Sequence, residues 1–215
     1  MLRNTESSYG SVNKWLHWVM AIWFLLAYLV IYYLAWGHGD GPVPGLNYHK
    51  AVGFAILIPL VFRIYWRLTN PEPKLPAGMP DWQVRLSRLS HFLLYFFMIS
   101  MPLSGYFGNG GGVDYGFIQI PGFSRTGLAL WLVEVTGIPW PAWNTFFDGF
   151  HYGIVGPYVF WVLVAVHASA AVYHHVVQKD DVLTRMLPDT GLLPRRPGAS
   201  SPAARTRCDT GGQNS

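Results

Sequence analysis

The sequence places most of its histidines inside long apolar segments, where an ionisable side chain is unfavourable without a specific role. The stretch 150–175 (FHYGIVGPYVFWVLVAVHASAAVYHH) alone contains four of the eight histidines. Polar residues at such depth in a membrane are costly and usually face the interior of a helix bundle. An imidazole there can ligate a metal or haem iron, carry a proton, or bond to a neighbouring helix. The histidines are therefore the candidate functional residues of this chain.

Four apolar segments are long enough to hold these histidines within a membrane. Segment 15–36 has 22 residues without Lys, Arg, Asp or Glu, about the length that crosses a bilayer core. Three similar segments cover about 50–68, 88–108 and 154–177. Only helices and closed barrels satisfy the backbone in lipid, and these segments lack the alternating polarity of barrel strands. The sequence predicts an all-α membrane protein, a bundle of four transmembrane helices in residues 1–188.

The distribution of positive charge predicts how this bundle is oriented. Thirteen of the fifteen Lys and Arg residues flank the N-terminus, the second connection and the C-terminal segment, whereas the other connections contain only Lys50 and Arg125. Because Lys and Arg favour the cytoplasmic side, both termini are predicted to be cytoplasmic, in a cell membrane. We call this side inner and the opposite side outer. The connection 109–150 is then a long outer loop, and residues 189–215, rich in Pro, Gly, Ser and Arg, form a disordered cytoplasmic tail.

The positions of four histidines along the membrane normal indicate two pairs. His49, at the outer end of the second segment, matches His151, at the outer end of the fourth. His17 lies near the inner end of the first segment and matches His167 in the inner half of the fourth. A bis-histidine haem needs one imidazole on each axial face of its iron, within an apolar interior. With no Cys-x-x-Cys-His motif, the sequence predicts two non-covalent b-type haems.

Zinc is the main alternative for such a set of histidines. A zinc site needs three or four converging ligands, often with a carboxylate, and no Asp or Glu lies within any predicted span. Pairs at two depths therefore favour haem iron, although a histidine hydrogen-bonded to a neighbouring helix remains the simplest alternative for each position. A histidine-gated ion or metal transporter is a weaker functional alternative.

Five more residues are candidates for contacts with haem or its redox partners. Arg63 and Arg67, one turn apart at the inner end of the second span, either anchor the helix by snorkelling or bind haem propionates. His91 and His174 are inner candidates for contact with a propionate or a quinone; alternatively, His91 is interfacial and His174 a competing ligand. Lys50 offers an outer site for an anion such as superoxide, or is a lone interfacial lysine.

Several motifs occur in an order that resembles the bacterial cytochrome b561 family over residues 9–188. These motifs are KWLHW, YHKAVG, RIYWRLTNPEP, SRLSHFLLY, PLSGY and VHASAAVYHHVVQKDDVLTRMLP. The resemblance implies a four-helix, inner-membrane di-haem cytochrome that exchanges electrons with quinone, some members oxidising superoxide at the outer face. It carries the haem ligands over onto His17, His49, His151 and His167.

The spacing of the two ligands in the fourth helix departs from this family pattern. In the family these ligands are fourteen residues apart, which places both on one face of an α-helix. His151 and His167 are sixteen apart, an offset of about 160° on an ideal helix. A π-bulge, a kink, or a helix that begins only near Pro157 would each absorb the difference. Gly153 and Gly156 lie in the same interval.

Two functional hypotheses follow from the predicted haems. In the first, the protein is a superoxide:ubiquinone oxidoreductase, in which the outer haem accepts electrons and quinone receives them. In the second, it is a haem b membrane anchor that passes electrons between the quinone pool and a partner dehydrogenase or reductase. Both hypotheses require membrane lipid and quinone, and neither involves nucleic acid.

Overall fold

The computed structural model describes residues 1–35, 45–76 and 78–188. Within these residues, four helical segments are long and apolar enough to cross a membrane: Ser11–Leu34, Leu46–Thr69, Asp81–Gly108 and Trp140–Gln178. The predicted bundle of four helices is therefore confirmed, whereas its orientation stays a prediction. The predicted tail 189–215 lies outside the described residues.

The first three spans contain four helices, because the second span is divided. Their bounds are α1 (Ser11–Ala35), α2 (Leu46–Ala55), α3 (Leu57–Thr69) and α4 (Asp81–Gly108). Ile56 joins α2 to α3. Pro59 has no N–H to donate to the carbonyl of Ala55, which accounts for the break at this point. The span continues through the join because Leu60 N donates to the Ile56 carbonyl at 3.1 Å.

The outer connection folds as a hairpin followed by a short helix. Its elements are β1 (Val113–Asp114), β2 (Gln119–Ile120), a 3-10 turn (Phe123–Arg125) and α5 (Gly127–Thr136). The two strands pair antiparallel. Helix α5 is mostly apolar and exposes Leu128, Leu130 and Trp131, as a helix lying at a membrane surface would. It ends at Gly137, which adopts the left-handed conformation (φ 68°) that favours glycine.

The fourth span begins earlier than the sequence predicts and is only partly α-helical. It consists of α6 (Trp140–Asp148), a π-helix (Gly149–Val159), α7 (Phe160–Tyr173) and a second π-helix (His174–Gln178). The helix that contains the predicted span 154–177 thus begins at Trp140. Pro139 is the extended N-cap residue, and Pro141 lies in the first turn, where a proline loses no helix bond. The outer connection therefore ends at 139, and His151 lies within the helix.

A last short helix returns the chain to the first span at the inner end. Helix α8 (Val182–Met186) follows Lys179, whose φ is 57°. The Trp18 indole Nε1 donates to the Met186 carbonyl at 3.0 Å. The N-terminal segment is also fixed to the second connection, where Lys74 Nζ and a Glu6 carboxylate oxygen are 2.6 Å apart. The inner ends of the first, second and fourth spans are therefore tied together.

The buried apolar core lies between the spans and is small, as in a helix bundle whose surface contacts lipid. Its members are Met20, Phe24, Ile56, Leu60, Phe97, Met101 and Phe160. Many large apolar side chains of the spans are exposed instead, such as Ile22, Phe62 and Phe92. Their exposure is consistent with contact with lipid, which is as apolar as these side chains.

Candidate functional site

The structure brings the predicted outer pair of histidines together. His49 lies in the first turn of α2 and His151 in the π-helix of the fourth span. Their ring centroids are 6.1 Å apart, with an angle of 66° between the ring planes. Both residues are half-buried.

Hydrogen bonds fix the ring nitrogen that each outer histidine can offer to a metal. His49 Nδ1 is 3.0 Å from the Ala27 carbonyl oxygen, and His151 Nδ1 is 2.9 Å from the Met101 carbonyl oxygen. Because a carbonyl only accepts hydrogen bonds, each Nδ1 must carry the proton and donate. The Nε2 of both rings is then the unprotonated nitrogen, the arrangement typical of metal-ligating histidines.

Two glycines leave space around the outer pair. A Cβ atom added to Gly105 in α4 would lie 2.8 Å from Cε1 of His151, so any larger residue would displace this ring. A Cβ atom added to Gly53, one turn after His49, would have no neighbour within 4 Å. The space beside Gly53 leaves room for a flat group against α2.

The inner site contains three histidines rather than a simple pair. The ring centroids of His17 and His167 are 6.2 Å apart, and those of His91 and His167 are 5.7 Å apart. His167 is therefore central, and His91 lies nearer to it than the sequence indicates. The structure by itself leaves His17 and His91 as competing partners of His167.

Both predicted pairs have the separation that a bis-histidine iron requires. A metal–nitrogen bond of about 2 Å on each side, with about 1 Å from each nitrogen to its ring centre, places the two centroids about 6 Å apart. The observed 6.1 Å and 6.2 Å agree with that value. No group of three or more His, Cys, Asp or Glu side chains with metal-binding geometry occurs in the part of the chain described here. The residues thus fit haem b better than zinc.

Arg63 is the charged residue of the inner site. Its Nη2 lies 3.4 Å from His17 Nδ1, and its guanidinium carbon is 5.6 Å from the centre of the Tyr95 ring. Its Nε and Nη1 are buried and have no hydrogen-bond partner among the described residues. Unpaired donors of a buried cation are expensive, so this position suits an anionic oxygen ligand such as a haem propionate.

Ligation of iron by His17 would release Arg63 from its present contact. A histidine that binds a metal through Nε2 carries a proton on Nδ1. A protonated Nδ1 cannot accept from a guanidinium, which has only donors. Arg63 would then have all of its donors available for the propionate.

Arg67 has a different partner, so the two arginines are not equivalent. Its Nη2 donates to a Glu72 carboxylate oxygen at 2.6 Å, and both side chains are partly exposed. Between the two predicted propionate contacts, the structure favours Arg63.

The π-helix explains how His151 faces His49 despite the sixteen-residue spacing. An α-helix turns by about 100° per residue, whereas a helix bonded five residues back turns by about 82°. From His151 to Val159 this difference removes about 145° of rotation and reduces the offset of about 160° to about 15°. Of the three possibilities predicted from sequence, the structure shows a π-helical segment, longer than a single bulge.

The first part of the outer loop covers the start of α2, next to His49. Lys50 Nζ donates to the Asn109 side-chain oxygen at 2.9 Å. The Tyr115 hydroxyl donates to the Ala51 carbonyl at 2.9 Å, and burial raises the pKa of Tyr115, which keeps this donor protonated. The loop therefore holds Lys50 in place beside the outer pair. Asn109 was not predicted, since a lone asparagine in a glycine-rich stretch gives no distinct signal.

His174, at the inner end of the fourth span, pairs with a carboxylate that the sequence analysis did not single out. His174 Nδ1 and Asp180 Oδ2 are 2.6 Å apart, and their side chains are 13% and 18% exposed. The other carboxylate oxygen of Asp180 accepts from Val182 N at 3.0 Å. The sequence signal for Asp180 is its place in the HHVVQKDD block, six residues after His174.

Comparisons with known proteins extend over the same part of the chain. A family model described as prokaryotic cytochrome b561 matches residues 8–189. The chain is 30% identical over 196 residues to cytochrome b561 homolog 2 of Escherichia coli (strain K12), covering 86% of this chain and 93% of that protein. It is 23% identical over 187 residues to cytochrome b561 homolog 1 of the same organism, covering 84% and 97%. It is also 23% identical over 187 residues to "Probable superoxide oxidase CybB" of Yersinia pestis, covering 85% and 97%.

Proposed function

Because the chain belongs to the prokaryotic cytochrome b561 family of membrane haem proteins, we propose that it is a di-haem b cytochrome of the bacterial inner membrane. In this proposal it transfers electrons from an outer donor, superoxide, to ubiquinone. The observation that carries the proposal is the presence of two histidine pairs with centroids 6.1 Å and 6.2 Å apart. Haem b, when bound, supplies one-electron chemistry, and the chain supplies position, shielding and charge.

The assignment of ligands follows from the geometry and from the family. His49 and His151 hold the outer haem, and their Nδ1 hydrogen bonds favour coordination through Nε2. His17 and His167 hold the inner haem. We prefer His17 to His91 as the inner partner because the family motif KWLHW places a ligand at His17. His91 then lies beside the inner haem as a contact of a propionate or a quinone.

Two observations support superoxide as the proposed outer donor: the positive charge of Lys50 and the name of one relative. Lys50 is a cation next to the outer ligand His49, and its ammonium is fixed by Asn109. A fixed positive charge at the mouth of a site raises the rate at which an anion arrives. The Yersinia pestis relative carries the name "Probable superoxide oxidase CybB", and superoxide oxidation is the activity that we propose here.

Ubiquinone is the proposed acceptor on the inner side. Two superoxide anions give up one electron each and leave as O2, and one quinone takes both electrons with two protons to become quinol. The protons need a route from the cytoplasm. The hydrogen-bonded pair of His174 and Asp180 lies at the inner end of the fourth span and is suited to deliver them, because an imidazole nitrogen and a carboxylate oxygen joined by a hydrogen bond form a short proton relay.

The proposal is tested with the purified, haem-loaded protein in detergent, to which superoxide and ubiquinone are added. The α-band of low-spin ferrous haem b should appear faster than superoxide dismutates, and ubiquinone should then remove it. Lys50→Gln should lower the rate of reduction by superoxide severalfold at low ionic strength, and added salt should abolish the difference. The matched control is Arg125→Gln, the other predicted outer cation, which should leave the rate unchanged. His174→Asn should slow only the ubiquinone step.

The outcomes of this experiment separate the alternatives. Protein without a low-spin haem b spectrum would contradict both electron-transfer hypotheses and leave the transporter. Haem that ubiquinol reduces but superoxide does not would support the anchor hypothesis, as would co-purification of a soluble redox partner.

Arg63→Gln should lower the midpoint potential of the inner haem by tens of millivolts. Removing a buried positive charge near the iron favours the more positive ferric state, and charges near a partly buried site act strongly. The measurement is a redox titration of the α-band, in which the outer component should stay unchanged. Arg63→Lys is the matched control, because it keeps the charge and loses only the planar fork. Equal shifts in the two variants would mean that the charge of Arg63 does not set the potential.

A further inference from the structure

We propose that Tyr28, in α1, is a positioning residue for the outer ligand His151. Its hydroxyl stabilises the junction at which the π-helix of the fourth span changes to α-helix, and the location of this junction sets the direction in which His151 points. The inference rests on the proposed function only in taking His151 as a haem ligand.

The hydrogen bonds at this junction leave one carbonyl without a donor from the helix. The Phe160 N–H bonds to the Val155 carbonyl, five residues back. From Phe160 onward the chain is α-helical, so the following N–H groups bond four residues back. Where the hydrogen-bond spacing changes from five residues to four, one backbone carbonyl receives no N–H from the helix. Here that carbonyl belongs to Gly156.

Tyr28 supplies the missing donor. Its hydroxyl donates to the Gly156 carbonyl oxygen at 2.7 Å, a good hydrogen-bond length. Away from water, an unpaired backbone carbonyl is strongly unfavourable within a membrane. A junction at any other point of the helix would leave a carbonyl that Tyr28 does not reach. The hydroxyl therefore favours one junction, and with it one length of π-helix.

Packing holds the Tyr28 side chain at this place. Its ring is stacked on that of Phe160, with ring centroids 5.4 Å apart and an angle of 10° between the ring planes. The ring centroids of Tyr28 and Trp161 are 4.9 Å apart. Phe160 is 4% exposed and also contacts Phe24 of α1. Aromatic contacts thus hold the first residues of α7 against α1, and the hydrogen bond from Tyr28 holds Gly156 against the same helix.

Neighbouring residues of α1 act on both outer ligands. The Ala27 carbonyl accepts from His49 Nδ1, and the next residue, Tyr28, bonds to the π-helix that contains His151. A movement of the junction by one residue would turn His151 by about 18° relative to α7. His49, held directly by Ala27, would not follow. Tyr28 thus keeps the His151 imidazole oriented toward the His49 imidazole.

The test compares Tyr28→Phe with Tyr32→Phe in the haem-loaded protein. Tyr32 lies one turn further along α1, 6.0 Å from Tyr28 between ring centroids, and is 47% exposed. Each change removes a single hydroxyl. We expect Tyr28→Phe to shift or broaden the low-spin electron paramagnetic resonance signal of the outer haem, and to raise severalfold the rate at which that haem is lost on dilution. The inner signal, and both signals of Tyr32→Phe, should stay unchanged.

A second background tests whether the effect runs through the π-helix. Deleting Gly153 and Ile154 reduces the spacing of His151 and His167 from sixteen to fourteen, which an unbroken α-helix accommodates on one face. No junction between π-helix and α-helix then remains, so adding Tyr28→Phe to the deletion should leave the outer signal as it is in the deletion alone.

Each outcome decides the inference separately from the proposed function. An unaltered protein with fewer than two haems would contradict the proposed function, whatever Tyr28 does. With two haems present, the inference is overturned if Tyr28→Phe matches Tyr32→Phe, if both haem signals change alike, or if the effect persists in the deletion. If Tyr28→Phe fails to accumulate, its accumulation in the deletion background supports the inference, and failure in both backgrounds overturns it.

Discussion

His151→Ala is expected to bind one haem b per chain, where the unaltered protein binds two. The change removes one of the two outer imidazoles, whose centroids are 6.1 Å apart, and leaves the inner site intact. A low-spin bis-histidine iron cannot form with the His49 ring alone. The measurements are the haem-to-protein ratio by pyridine haemochrome and the number of low-spin signals by electron paramagnetic resonance. His49→Ala should lose the same signal, whereas His167→Ala should lose the other.

A matched pair of variants decides between the two inner candidates. His17 and His91 both have ring centroids within about 6 Å of His167. His17→Ala should remove the inner haem, and His91→Ala should retain two haems with a modest change in the inner spectrum. Loss of the inner haem in His91→Ala alone would reassign the ligand to His91. Two haems retained in His151→Ala would mean that the outer ligand is wrongly assigned.

Gly156→Ala should remove the outer haem, whereas Gly153→Ala should keep it. Both glycines lie in the same π-helix, so the general effect of alanine on helix propensity is the same for the two. A Cβ atom at Gly156 would clash with the His151 carbonyl oxygen and lie 3.2 Å from Met101 Cε, whereas at Gly153 it would meet nothing within 4 Å. Overpacking of this kind costs about 1–3 kcal/mol or more, and relief requires the His151 backbone to move.

The difference between the two alanine variants is measured as haem content and as thermal stability of the inner and outer signals. We expect the outer haem of Gly156→Ala to be lost or to dissociate at least tenfold faster, with the inner haem retained. An equal effect at Gly153 would show that alanine disturbs the π-helix generally. No effect at either glycine would show that the helix has room at Gly156.

The features that could be predicted from the sequence are those that depend on composition and on the depth of a residue in the membrane. Apolar length predicts the four spans, and the depths of His17, His49, His151 and His167 predict two pairs that the structure brings together. Each of these features is a property of a single segment, or of a segment's position along the membrane normal. The long-range geometry then follows from the requirement that the polar residues face inward.

The rest depends on contacts between segments, which a single sequence does not show. Arg63 and Arg67 are alike in sequence, and only the position of Glu72 separates their roles. The sequence left the π-helix as one of three possibilities, because the hydrogen bond that we propose stabilises it comes from Tyr28, more than 120 residues away along the chain. The fourth helix begins before the predicted span because Pro139 and Pro141 lie at its N-cap and in its first turn, positions that the apolar length of a segment does not reveal.

The contact between α8 and the first span has a consequence for how the protein is made. Trp18, next to His17, is held by the carbonyl of Met186, and the inner pair joins residues 17 and 167. The two inner histidines therefore come together only after the fourth span has been synthesised and inserted beside the first. In the proposed function, a haem that needs both of them can be held only from that stage onward.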